Sequence, residues 1–281
     1  MSMRVLVTDG MEAGAMAKLR EDGYEVVEKF YEPDELGTAL RDFDAVIIRA
    51  GVGVDNIAVK YAEEAGITVR NTPRASSNAV AELAIALLFA CARNISIAGH
   101  TMREKKWEKK AYSKGFEVSG KTVGVIGYGR IGQLVGLKCQ ALGANVLSYV
   151  NRNKPEGCEC ETMKFVTPDE VFAQSDIIIL CAPGGDKPLV SAETLAKMKD
   201  GVVIVNVSRG SNVDEVALLD ALNSGKVKAA GLDVWLSEKD PNWELASHPS
   251  VSCLPHVGAG TKEAQKRIGA ELVDIVESFS K

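Results

Sequence analysis

Three glycines spaced as Gly127-Tyr128-Gly129-Arg130-Ile131-Gly132 join an apolar run, Thr122 to Ile126, to an amphipathic stretch, Arg130 to Leu142. The spacing alone is a weak signal. A strand before it and a helix after it make it specific. The first glycine permits a tight turn, the second an open backbone, and the third close packing of helix on strand. The helix that starts here offers unpaired N–H groups to an anion. The junction therefore predicts a βαβ unit with a dinucleotide pyrophosphate over Gly127, Gly129 and Gly132, beside Arg130 and Ile131.

The rest of the chain repeats the alternation. Arg4 to Thr8, Tyr24 to Glu28, Ala45 to Arg49 and Ile67 to Asn71 read as strands. Glu12 to Glu21, Pro33 to Leu40 and Asn56 to Glu64 read as the helices between them. Ser76 to Lys110 reads as one long helical tract. Val146 to Tyr149, Ile177 to Cys181, Val202 to Asn206, Ala229 to Leu232 and Val251 to Leu254 read as further buried strands. Thr167-Pro168-Asp169-Glu170 is a capping box. The last helix, from Thr261, sets Ile268, Leu272, Ile275 and Phe279 on one stripe. Continuous apolar strands between helices imply parallel sheets covered on both faces. The expected fold is α/β with two open parallel-sheet domains. A Rossmann-type dinucleotide-binding domain would cover 93–260. A smaller, flavodoxin-like substrate domain would combine 1–92 with 261–281.

The chain has 281 residues, 46% hydrophobic and 25% charged, which suffices for a core without disulfides or structural metal. A net charge of -5 disfavours a nucleic-acid partner. The apolar stretch Ala79 to Ala92 contains Glu82 and is too short to cross a membrane. No signal peptide is read at the start. A cytoplasmic protein without membrane contact is expected. Six cysteines are scattered, and Cys158 and Cys160 have no histidine beside them. Reduced thiols and no metal site follow as expectations.

Three chemically distinct side chains each follow an apolar run: Arg209, Glu238 and His256. In an open parallel sheet the strand carboxyl ends face one crevice, where ligands bind. An imidazole titrates near neutrality and suits proton transfer. A carboxylate beside it orients the ring. A guanidinium binds a carboxylate with fork geometry. Of the other histidines, His100 lies in the charged helical tract and His248 in a loop before Pro249.

With these motifs the chain resembles the D-2-hydroxyacid dehydrogenase family, most closely its D-3-phosphoglycerate dehydrogenases, over nearly its whole length. The resemblance implies oxidation of a CH–OH group with hydride transfer to a nicotinamide cofactor. His256 would be the acid/base, Glu238 its partner and Arg209 the substrate anchor. Asp233, five residues before Glu238, would lie near the nicotinamide. Cys181 and Pro183 would line the cofactor turn. Val52 and Gly53 would cradle the substrate carboxylate through backbone N–H groups. Asn78, with Val80, would approach the nicotinamide from the start of the interdomain helix. Lys109 and Lys110 would supply charge for a phosphorylated substrate, and Ser96 to Gly120 would embrace a second subunit in a homodimer. The expected partner is a small 2-hydroxy acid, phosphorylated, namely 3-phosphoglycerate. A glyoxylate or hydroxypyruvate reductase is the alternative enzyme. A dinucleotide-sensing corepressor is the non-enzyme alternative, disfavoured by the complete triad.

The cofactor expectation is NAD or NADP, leaning to NADP. Val150 stands where NAD-using relatives carry Asp, and Asn151 and Arg152 follow it. Without the acid a 2′-phosphate meets no repulsion, and Arg152 is placed to pair with it. Two departures from the family stand out. Lys239-Asp240-Pro241 replaces a proline directly after the glutamate. The helix and strand usual between Arg49 and the Ala50 to Asn56 loop are absent.

Overall fold

The computed structural model describes residues 2–8, 10–31, 35, 38–48, 64, 68–149, 157 and 159–279. Half of the expected helix Pro33 to Leu40, and all of the expected helix Asn56 to Glu64 except Glu64, lie outside these. So do Val52, Gly53, Val150, Asn151 and Arg152. The chain divides into two units, Met1–Ala79 with Ala259–Lys281, and Val80–Gly258.

In the first unit β1 (Arg4–Val7) pairs in parallel with β2 (Glu25–Glu28) and β3 (Ala45–Ile47). Thr68 to Asn71 carry no strand, so the described sheet has three strands in the order β2-β1-β3. Helix α1 (Ala13–Glu21) is capped by Glu12, whose carboxylate accepts from the Ala15 N–H. It packs on the C-terminal helix, where Gly269 lets Ala15 come close. That contact fixes the helix face. Ile268, Val273 and Val276 are buried, whereas Phe279 is 46% exposed. The expected stripe through Leu272, Ile275 and Phe279 is therefore rotated toward Val273 and Val276.

The second unit holds a seven-stranded sheet among the described residues. Its strands are β4 (Thr122–Ile126), β5 (Asn145–Tyr149), β6 (Met163–Phe165), β7 (Ile177–Leu180), β8 (Val202–Asn206), β9 (Val227–Leu232) and β10 (Val251–Cys253). The order is β10-β9-β8-β7-β4-β5-β6, with every pairing parallel. The chain leaves β4 in one direction through β5 and β6, then returns to β7 on the other side. That reversal is the topological switch point of a doubly wound sheet. Successive residues of β7 face opposite cores, as strand geometry requires. Ile177 and Ile179 join one cluster and Ile178 and Leu180 the other.

Two expectations about the helical tract are corrected. It is not continuous: Asn94 adopts a left-handed conformation (φ 55°) and separates α2 (Ser77–Arg93) from α3 (Ile95–Arg103). Asparagine tolerates that region better than most residues. The division between units also falls at Ala79/Val80, earlier than the expected boundary at 92/93. The cause is packing: Ala81, Ala84, Leu88 and Cys91 of α2 share a core with Val123 and Val125 of β4. Among the described residues no single helix is long and apolar enough to cross a membrane. Strand β6 is an edge element that the apolar pattern did not signal.

The remaining helices are α4 (Arg130–Ala141), α5 (Pro168–Gln174), α6 (Ala192–Lys197), α7 (Glu215–Asn223), α8 (Trp243–Ala246) and α9 (Lys262–Ser278). The capping box of α5 forms: Thr167 Oγ1 accepts from the Glu170 N–H, and Glu170 accepts from the Thr167 N–H at 2.8 Å.

Candidate active site

The turn between β4 and α4 is built around its glycines. A Cβ at Gly127 would lie 2.6 Å from the Ala182 backbone, and one at Gly132 would overlap the Gly127 carbonyl. A Cβ at Gly129 would meet nothing within 4 Å. The first and third glycines are thus required by packing, whereas the second leaves open space over the backbone. Gly129 is also the N-cap of α4, with no side-chain cap bond. The N–H groups of Arg130 and Ile131 therefore open the helix toward that space. These features suit a pyrophosphate. Across the switch point, Cys181 donates its N–H to Ile126 O and leads into Ala182 and Pro183. Burial pushes the Cys181 thiol up to about 12, so it is not a nucleophile at neutral pH.

Three neighbouring strands, β8, β9 and β10, lead into the segments that carry Arg209, Glu238 and His256. Arg209 follows β8, Glu238 lies in the loop after β9, and His256 follows β10. Glu238 Oε1 sits 2.5 Å from His256 Nδ1. Both side chains remain about half exposed, at 52% and 43%. The inserted Lys239-Asp240-Pro241 does not separate them. That loop is held by Asp240 N–H donating to Ser237 Oγ and by the Trp243 indole donating to Asp240 Oδ1 at 3.0 Å. Arg209 turns one guanidinium nitrogen, Nη1, onto the Ser208 carbonyl at 2.7 Å.

Asp233 organises the histidine turn. It is 1% exposed and accepts from the Val257 N–H at 2.8 Å and the Gly258 N–H at 2.9 Å, one on each oxygen. Its carbonyl accepts from the His256 N–H at 2.8 Å. His256 itself has φ 54°, a left-handed conformation that costs a non-glycine residue free energy. Three bonds to one aspartate offset that cost. Burial pushes the Asp233 carboxyl above its ordinary value of 3.8, against the opposing pull of the Val257 N–H, the His256 charge and the Gly258 N–H.

The residues that join these loops carry no local signal in the sequence. The Trp235 indole donates to Leu254 O at 3.0 Å, tying the β9 loop to the one before His256. Leu236 N–H donates to Glu215 at 2.8 Å. Gly210 packs on the Trp235 backbone so closely that a Cβ would overlap it. Asn206, Ser208 and Asn212 are buried polar residues under Arg209. A buried asparagine has the same sequence signature as an exposed one, so no local signal marked them. Asn78 lies exposed in the first turn of α2, and Lys109 and Lys110 lie exposed in the turns after α3.

Comparison with known proteins points to one family. The family described as D-isomer specific 2-hydroxyacid dehydrogenase, NAD binding domain, matches residues 85–258. A hydroxypyruvate reductase of Thermotoga maritima is 41% identical over 298 aligned positions, covering 96% of both chains. The alignment is longer than the 281 residues of this chain, so that relative carries residues absent here. A D-3-phosphoglycerate dehydrogenase of Archaeoglobus fulgidus is 37% identical over 99% of this chain. This chain spans only 58% of that relative's length. The crystal structure of a glyoxylate reductase from Paecilomyes thermophila superposes with a TM-score of 0.88 at 30% identity, covering 99% of this chain and 95% of that one. These matches lead to one assignment: the chain belongs to the D-isomer specific 2-hydroxyacid dehydrogenases, NAD(P)-dependent oxidoreductases that act on a CH–OH group.

Proposed function

We propose that the protein interconverts a small D-2-hydroxy acid and its 2-keto acid with His256, Glu238 and Arg209 as its working residues. The observation that carries this is the 2.5 Å contact between Glu238 Oε1 and His256 Nδ1. With Nδ1 committed to the carboxylate, Nε2 is the nitrogen that exchanges the proton of the substrate hydroxyl. Arg209 receives the substrate carboxylate. A nicotinamide dinucleotide bound here would supply or take up the hydride exchanged at C2 of the acid. Gly127, Gly129 and Gly132, with the N–H groups of Arg130 and Ile131, would hold its pyrophosphate.

For the substrate, hydroxypyruvate is favoured by the 41% identity to a hydroxypyruvate reductase across nearly all of both chains. A second reading, 3-phosphoglycerate, rests on the exposed Lys109 and Lys110 and on the 37% identical phosphoglycerate dehydrogenase. The cofactor reading is NADP over NAD, carried by Val150 and Arg152 in the sequence. A homodimer through 96–120 is supported by exposed apolar side chains there and beside it, with Met102 at 54%, Trp107 at 75% and Ile95 at 55%.

One panel tests all of this: kcat/KM for hydroxypyruvate, glyoxylate and 3-phosphohydroxypyruvate, each with NADH and NADPH. Hydroxypyruvate with NADPH is the expected best pair, and Arg152→Ala should penalise NADPH more than NADH. A clear preference for the phosphorylated keto acid, lost in a Lys109→Ala, Lys110→Ala variant, would establish the second reading. No turnover of any 2-keto acid would overturn both. Light scattering showing a monomer at micromolar concentration would remove the dimer.

A further inference from the structure

A buried chain of polar groups runs from the dinucleotide turn to the loop that carries Arg209. It begins where Gly127 lies against the Ala182 backbone. The Ala182 carbonyl accepts from Asn212 Nδ2 at 3.0 Å. The same nitrogen donates its other proton to Ser208 Oγ at 2.9 Å. Ser208 Oγ in turn donates to Asn206 Oδ1 at 2.7 Å. Asn206 Nδ2 then donates to the Arg209 carbonyl at 2.8 Å. Asn206 and Asn212 are 0% and 1% exposed, and Ser208 is 7% exposed. Each of these four bonds joins one donor proton to one acceptor oxygen. A buried polar group that loses its partner keeps its desolvation cost, so this arrangement has no cheap alternative.

We propose that Asn212 is a positioning residue that couples the dinucleotide turn to the placement of Arg209. The inference rests on the reading of Arg209 as the substrate anchor. A dinucleotide seated against Gly127 restrains the Ala182 segment. Asn212 passes that restraint through Ser208 and Asn206 to the Arg209 backbone. Arg209 is then pre-placed, and the keto acid binds with less ordering left to do.

The test measures the affinity of the full chain for oxamate, an unreactive 2-keto acid analogue, with and without NADPH or NADH. Wild type, Asn212→Leu, Arg209→Lys and the double variant are compared. Cofactor should tighten oxamate binding about tenfold or more in wild type, within the usual range of coupling between sites. In Asn212→Leu that gain should fall below about threefold, with affinity for the cofactor alone changed by less than about threefold. In the Arg209→Lys background the Asn212 substitution should add little, because residues acting through one another are not additive. An intact gain in Asn212→Leu, no gain in wild type, or full additivity would each overturn the proposal. If Asn212→Leu fails to fold, Ser208→Ala breaks the same chain at its middle and is read in the same way. Wild-type protein that reduces no 2-keto acid sinks the functional reading. Normal turnover with coupling preserved in the variant sinks this inference alone.

Discussion

Glu238 Oε1 meets His256 Nδ1 at 2.5 Å although the two residues leave different strands, β9 and β10. The pairing commits Nδ1 of the ring to the carboxylate. It depends on two loops being held at a constant separation, which the Trp235 indole does by bonding Leu254 O. The His–carboxylate pair is therefore a product of sheet order as much as of the two side chains.

If His256 moves the proton, His256→Gln should lower kcat by about 100- to 10,000-fold while cofactor affinity stays near wild type. Glutamine keeps a polar side chain but cannot carry the proton. Glu238→Gln keeps the shape of the partner and removes its charge, so it should fall between wild type and His256→Gln. Steady-state kinetics with fluorescence titration of the cofactor would check both. Wild-type kcat in His256→Gln would remove His256 from the mechanism.

Asp233 offers a different kind of prediction, because its two oxygens serve two backbone donors. Asn at this position can accept from only one of them. Either the Val257 or the Gly258 N–H then loses its partner inside the protein, at a cost of about 1–3 kcal/mol. The left-handed turn at His256 should loosen with it. Asp233→Asn is expected to lower the melting temperature and kcat together. A variant with wild-type kcat would show that the turn holds without the carboxylate.

Much of this site was legible in the sequence, and the reason is local. The fingerprint glycines sit directly between an apolar run and a helix, and the triad residues directly follow apolar runs. What was not legible depends on partners far along the chain. The face that α9 buries is set by Ala15 of α1 against Gly269, so Val273 and Val276 replaced the expected Ile275 and Phe279. The break at Asn94 interrupts an otherwise helical pattern through one residue's conformation. Asn206, Ser208 and Asn212 became recognisable only once their burial was known.

Acid stability should turn on Asp176, at the foot of β7. Burial raises its carboxyl, but the Thr122 N–H at 2.9 Å and the Lys199 ammonium at 2.9 Å outweigh that and hold it below its ordinary value of 3.8. A carboxylate with a depressed folded pKa stabilises the fold above its unfolded pKa, and that stabilisation is lost as pH falls through the folded value. Asp233 has the opposite sign. Its raised folded pKa favours the fold below 3.8, and that contribution is lost as pH rises through the folded value. Asp176→Asn should therefore destabilise at neutral pH and converge with wild type in acid. Melting curves from neutral pH down to about pH 2 decide it, since the stabilisation is lost at and below the ordinary carboxylate range. A constant gap at all pH values would mean that Asp176 acts through shape and not charge.

Two glycines should separate folding from function. Gly210 lies against the carbonyl group of Trp235 and the nitrogen of Leu236, backbone on backbone. No rotamer change can relieve a methyl placed there, so the Arg209 loop and the Glu238 loop must move apart. Gly210→Ala should cost on the order of 1–3 kcal/mol, typical of overpacking, and should lower kcat/KM with it. Gly129 is the reverse case. Its Cβ would meet nothing within 4 Å, and its φ of -76° is open to alanine. Gly129→Ala should melt like wild type, yet the methyl would stand where the pyrophosphate approaches the backbone. Its defect should appear as a raised KM for the dinucleotide, with the keto-acid KM little changed at saturating cofactor. Differential scanning calorimetry and cofactor titration of both variants give the comparison. If Gly129→Ala binds the dinucleotide as well as wild type, the pyrophosphate does not lie over that turn.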